Sequence, residues 1–202
     1  MLSVDSIYNE LLEHGSDNLQ RFGGNYEGGI HLQQDPKEFA ELIVFLEDIK
    51  PMDSYLEIGS AAGGCIWAFN HYLNFKNIIV IDDGLHRKFK LREEILKGIE
   101  RKEFLGDCHS QEAVDFVKSL GIMFDLIQMD ADPTYNGMMT DIDRFTPYLN
   151  EKGILFIHGI TESSCKEVKL VDNDLTNGYL GFKKIKSIIT KPGRLGIGLY
   201  SR

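Results

Sequence analysis

The residues able to do chemistry in this chain sit where short apolar runs end. Residues 55–64 read YLEIGSAAGG: an apolar run carrying Glu57, then a turn from Gly59 through Ser60 and Ala61 to Gly63 that opens a helix. Gly59 permits a tight bend and Gly63 a close approach of ligand or helix backbone. The free N–H groups of a helix start suit an anionic group such as a carboxylate or phosphate. Further on, NIIVI ends at Asp82 and Asp83, the spacing at which an acidic side chain accepts hydrogen bonds from ribose hydroxyls. FDLIQMDADPTY sets Asp130 and Asp132 at another such end, and ILFIHG does the same for His158. Imidazole titrates near neutrality, so His158, with Asp130, is the leading candidate for general-base catalysis. A buried histidine satisfied by backbone is the competing reading, and Asp132 serves equally well as a cap for the turn at Pro133. Tyr26, in a glycine-rich loop, and Tyr135, after the Asp130 run, are the substrate-contact candidates, because binding residues concentrate on loops.

Positioning these residues requires a sheet. The runs at 54–58, 77–81, 102–105, 124–129 and 154–158 alternate with helical patterns at 64–73, 87–97, 111–120 and 137–149, the signature of parallel strands with crossover helices. Before them, DPKEFAELIVFLEDIK offers Asp35 as N-cap, Pro36 at the first helical position and apolar residues at Phe39, Leu42, Ile43 and Leu46. After Ile160 a polar, helix-compatible stretch precedes two strands, 183–190 and 196–201, joined around KPGR and read as an antiparallel hairpin at the sheet edge. The expected fold is a single α/β domain over residues 1–202. It is a Rossmann-like three-layer sandwich with a mixed seven-stranded sheet, its core in 51–202 and a helical cap segment in 1–50.

Composition narrows the function classes. The 202 residues are 43% hydrophobic and 26% charged, which suits a packed core and excludes collagen-like, disordered and disulfide-scaffold classes. A net charge of -9 disfavours sequence-independent nucleic-acid binding. No basic leader followed by an apolar run opens the sequence, and its apolar stretches are strand-length. A cytoplasmic location without a membrane partner is therefore expected. Cys65, Cys108 and Cys165 show no CxxC spacing and read as reduced, packed thiols, with Cys65 and Cys108 near enough to the motifs to line a pocket. Homo-oligomerisation stays open.

Taken in order, Glu57-x-Gly59-x-x-x-Gly63, the acidic strand end at Asp82, FLGDCHS and FDLIQMDADPTY resemble the motifs of class I S-adenosylmethionine-dependent methyltransferases. Within that class the chain resembles small O-methyltransferases of the catechol and sugar types. The resemblance implies S-adenosylmethionine as cofactor and a small-molecule methyl acceptor. It places Asp107 and Cys108 beside the adenine, and Asp130 beside the methionine part. The residues suit that molecule: Glu57 and Asp130 put negative charge near its cationic end, the turn at 59–63 provides donors for its carboxylate, and Asp82 takes the ribose. An NAD-dependent oxidoreductase is the alternative, although Gly59 is followed by Ser60, Ala61 and Ala62, without the second glycine of G-x-G-x-x-G. A catalytically degenerate binding protein is another. The chain departs from its relatives at Pro133, where they carry histidine or lysine, and at Gly159, where an oxygen ligand for a divalent metal is lost. Asp130 with one histidine makes a poor magnesium site, so metal-independent chemistry is expected.

Overall fold

The computed structural model describes residues 2–15, 29–49 and 51–202. Tyr26 lies outside the described residues. Among the described residues, α1 (Val4–His14) and α2 (Pro36–Asp48) precede β1 (Ser54–Ile58), α3 (Gly64–Leu73) and β2 (Asn77–Asp82). A short helix α4 (Arg92–Ile95), β3 (Lys102–Leu105), α5 (Gln111–Ser119), β4 (Phe124–Met129), α6 (Tyr135–Phe145) and β5 (Leu149–His158) follow. The chain continues through α7 (Val168–Thr176), β6 (Lys183–Ile188) and β7 (Ile197–Ser201). The strands form one seven-stranded sheet in the order β3-β2-β1-β4-β5-β7-β6. Its first five members are parallel, and β7 runs antiparallel between β5 and β6.

Alternation along the strands divides the core into two layers. Tyr55, Val80, Leu126 and Phe156 face the layer holding α1, α2 and α3, whereas Leu56, Ile81, Ile127 and Leu155 face α5, α6 and α7. Period-two alternation within near-continuous apolar runs is what a parallel sheet covered on both faces demands. Local chemistry sets the helix starts. Asp35 Oδ1 accepts from the N–H groups of Lys37 and Glu38, Ser110 Oγ from Ala113, and Thr134 Oγ1 from Gly137. Glu38, buried in α2, ties that helix to the C-terminal hairpin by accepting from the N–H groups of Thr190 and Gly196. Among the described residues no helix is long and apolar enough to cross a membrane.

Three expectations shift. The helix expected over 87–97 shortens to a 3₁₀ turn at Phe89–Leu91 followed by α4. There Arg92 turns inward under the Phe89 ring and donates to Glu103 at 2.6 Å, and Leu96 packs on Gly63. Helix α6 begins at Tyr135 rather than at 137 because Thr134 caps it. Strand β5 starts at Leu149, its pairing with β4 interrupted by a register shift between Phe124 and Leu126.

Candidate active site

The strand order reverses between β1 and β4, and outside the carboxyl ends of β1, β2 and β4 lies a cleft of about 850 Å³. Such a switch point is where open α/β sheets bind ligands. β1 contributes Glu57 and the turn from Gly59 to Ala61. β2 contributes Asp82 and Asp83, the loop after β3 contributes Asp107, Cys108 and His109, and β4 contributes Asp130 and Asp132. The separate strand ends picked out in the sequence thus converge.

Each has a definite role in the geometry, and several differ from expectation. Asp82 does not offer a free carboxylate to a ribose. One of its oxygens accepts from Ser60 N–H (2.7 Å), Ser60 Oγ (3.0 Å) and Ala61 N–H (3.0 Å), and the other accepts from Gly84 N–H (2.8 Å). It locks the glycine turn to β2. The turn's own N–H groups are spent accordingly: Gly59 donates to Ile81 and Gly63 to Ser60, so the turn offers few of the donors expected for a ligand carboxylate. The first-turn N–H groups of α3, at the cleft-lining Gly64 and Cys65, are the available ones. Gly59, at φ +84°, is required because a Cβ there would lie 2.6 Å from the carbonyl oxygen of Asp130. Gly63 serves packing instead of ligand approach, since its Cβ would meet Leu96 at 2.8 Å.

Asp83 is exposed on the cleft wall, with Oδ1 accepting from Leu85 N–H at 2.9 Å. Asp107 is likewise exposed and turns Oδ1 to His109 N–H. Asp132 caps its own loop through Thr134 N–H and crowds Gly137. Tyr135 points elsewhere: as the first residue of α6 it sends its hydroxyl to Asp174 of α7 at 2.6 Å, which accounts for it as a packing residue and leaves the substrate role without support.

Glu57 is the most perturbed acid. It is 1% exposed, with Oε2 unpartnered, and burial pushes its carboxyl up to about 8. Tyr55 partly opposes the shift, while the nearby charge of Asp130 adds to it. Beneath it Tyr55 donates to Gln128, and Gln128 donates to Cys65, whose thiol burial holds well above its usual range. Cys65 is a packed thiol. The loop thiol of Cys108 is also pushed up by burial, and the buried Asp141 behind it is raised to about 6 for the same reason.

At the far end of the cleft His158 Nδ1 meets Asp130 Oδ1 at 3.2 Å, while Asp130 Oδ2 accepts from Gln34 Nε2 at 2.9 Å. The His158 side chain is 10% exposed and its Nε2 has no partner. Burial alone would lower its pKa, but the adjoining Asp130 carboxylate wins and raises it. A second cleft of about 490 Å³ adjoins here, sharing Gln33, His86, Asp130, Ala131 and Pro133 with the first and lined also by His158, Glu162 and Cys165.

Sequence reasoning missed the strap that crosses the cleft. Residues 31–34 run over the start of α3, where a Cβ on Gly64 would strike the backbone of Ile30 and Leu32. Gln33 contacts His86 at 3.1 Å, and His31 lies 3.2 Å from Lys88. Polar residues packed just ahead of the Asp35 cap were the available signal.

No protein-family model matches the sequence, and a search of curated protein sequences finds no match. Solved structures do resemble it. The N-methyltransferase NodS of Bradyrhizobium japonicum, in complex with S-adenosyl-L-homocysteine, is 16% identical with a TM-score of 0.64, over 98% of this chain and 97% of that one. A ribosomal protein L11 methylase from Lactobacillus delbrueckii subsp. bulgaricus is 20% identical with a TM-score of 0.57, over 89% and 80%. An O-methyltransferase family protein from Burkholderia thailandensis is 10% identical with a TM-score of 0.57, over 84% and 60%. Strand order, the antiparallel end of the sheet and these likenesses together give this chain the fold of the class I S-adenosylmethionine-dependent methyltransferases.

Proposed function

We propose that the chain is an S-adenosylmethionine-dependent methyltransferase acting on a hydroxyl oxygen of a small molecule. The observation that carries this reading is the junction of the two clefts at Asp130, where one pocket large enough for a nucleoside-bearing amino acid opens onto another lined by the His158–Asp130 pair. The residues fit the cofactor. Glu57 holds an unpartnered buried carboxyl oxygen where a cationic group would compensate it, Asp83 presents an exposed carboxylate for ribose hydroxyls, and the start of α3 offers N–H groups to a carboxylate. Asp107 and Cys108 line the end assigned to the adenine.

Bound there, S-adenosylmethionine supplies a methyl group activated by the sulfonium. The protein's part is positioning and proton removal. Asp130 fixes the His158 ring and its tautomer, so that Nδ1 donates to the carboxylate and Nε2 carries the lone pair that takes the acceptor's proton. Gln34 holds the other oxygen of Asp130 and so restrains the pair. Support for oxygen as the acceptor atom comes from this base, since a neutral amine needs no such activation. The fold neighbours alone span nitrogen and oxygen methylation.

Titration calorimetry with S-adenosylmethionine, S-adenosylhomocysteine and NAD tests the ligand, and transfer of a labelled methyl group to a panel of hydroxylated small molecules tests the reaction. Binding of NAD with neither sulfur ligand bound would overturn the proposal. Labelling confined to amine acceptors would overturn the oxygen assignment.

A further inference from the structure

We propose that Cys108, His109 and Asp141 form a three-donor site for a divalent cation of the zinc class, opening on the main cleft. Cys108 and His109 lie side by side in the loop after β3, and α6 brings Asp141 up behind them from a distant part of the sequence. Cys108 Sγ is 3.6 Å from Asp141 Oδ2, and His109 Nε2 is 3.4 Å from Asp141 Oδ1. Zinc bonds of about 2.0–2.3 Å in a tetrahedron separate neighbouring donor atoms by roughly 3.3–3.8 Å, and each of these two contacts, made to a different oxygen of Asp141, falls in that range. Asp107, Cys108 and His109 each place a donor atom within 4.8 Å of the others, and Asp141 adds its carboxylate from α6.

The second observation is the buried carboxylate. Asp141 is only 2% exposed and aims both oxygens into this group, yet its Oδ1 and the facing His109 Nε2 form no hydrogen bond. A carboxylate oxygen and an imidazole nitrogen, both buried and 3.4 Å apart without a hydrogen bond, are costly unless a third species satisfies both. Thiolate, imidazole and carboxylate together favour zinc or cobalt over magnesium or calcium, which select oxygen ligands. The loop is also held for the purpose. Arg144 donates to the carbonyl oxygens of His109 and Ser110, Ser110 N–H to the carbonyl of Asp107, and His109 N–H to the Asp107 carboxylate. Support of this kind from surrounding groups orients metal ligands. CxxC spacing is absent from the sequence, and the site is legible only once α6 is packed against the loop.

Cobalt(II) titration of the reduced, full-length protein tests the site. One equivalent should produce tetrahedral visible bands together with a thiolate-to-cobalt charge-transfer band. Cys108→Ser should abolish the charge-transfer band, Asp141→Asn should weaken binding at least about tenfold, and Cys165→Ser should leave the spectrum unchanged. In the unmutated protein, one equivalent of zinc should slow alkylation of Cys108, mapped by peptide mass spectrometry, without slowing that of Cys165. Absence of the charge-transfer band in the unmutated protein, a Cys108→Ser spectrum like that of the parent, or zinc protection that misses Cys108 would each overturn the proposal, and the last needs no variant to fold.

Discussion

Replacing Glu57 by Gln keeps the side chain's shape beneath the glycine turn and removes its titration. Burial raises this carboxyl from 4.5 to about 8, so between those pH values the native state holds a proton that the unfolded chain has released. Stability must therefore fall as pH rises through this window, by about 1.4 kcal/mol per unit, approaching a loss of roughly 5 kcal/mol above pH 8. Glutamine mimics the protonated acid and carries no such dependence. Urea unfolding of the two proteins at pH 5 and pH 8.5 isolates the effect, because every other titrating group is common to both. The variant should match the parent within about 1 kcal/mol at pH 5 and exceed it by several at pH 8.5, a large fraction of the stability of an ordinary domain. A difference between the proteins that does not change with pH would refute the buried neutral acid. The same carboxyl should ionise when a sulfonium ligand arrives. Calorimetry at pH 7 in buffers of different ionisation enthalpy should then show proton release in the parent and none in Glu57→Gln.

Three further outcomes follow from the site. Asp82→Asn should cost about 1–3 kcal/mol of stability, because its Oδ2 accepts three hydrogen bonds from the turn, whereas Asp83→Asn should leave the urea midpoint unchanged and weaken S-adenosylhomocysteine binding about tenfold. His158→Gln should lower turnover about a hundredfold or more with cofactor affinity retained. Since Asp130 raises the pKa of His158 and the base must be neutral, activity should climb with pH through that raised value, and Asp130→Asn should move the rising limb to lower pH. Gly59→Ala should destabilise the fold by at least about 2 kcal/mol, read as a drop in urea midpoint, because φ is +84° and the new Cβ would abut Asp130 and Ala131.

Strand positions were legible in the sequence because a sheet covered on both faces writes itself as apolar runs, and helix starts were legible where Asp35 or Ser110 caps them locally. The convergence of Glu57, Asp82 and Asp130 followed from strand ends alone. What they bond to did not. Asp82 spends one oxygen on N–H groups 21 and 22 residues earlier, a pairing made only when β1 and β2 lie side by side. Tyr135 looked like a loop residue because the cap at Thr134 shifts the helix start by two positions, which turns its ring toward α7. The strap at 31–34 and the approach of Asp141 to Cys108 join segments remote in sequence, beyond the reach of periodicity or spacing.

The insertion of β7 between β5 and β6 constrains how the molecule assembles. The flank of β5 must stay unoccupied while β6 is synthesised, since its proper neighbour there comes later in the chain. A β6 that docked early, on its own, would seal that flank in a non-native pairing. Closure of this side of the sheet is thus a late, non-local event, slow by the usual relation between topology and rate. Its completion also seats Leu195 and Gly196 against residues 159–161, beside His158, so that the second cleft takes shape in the same step.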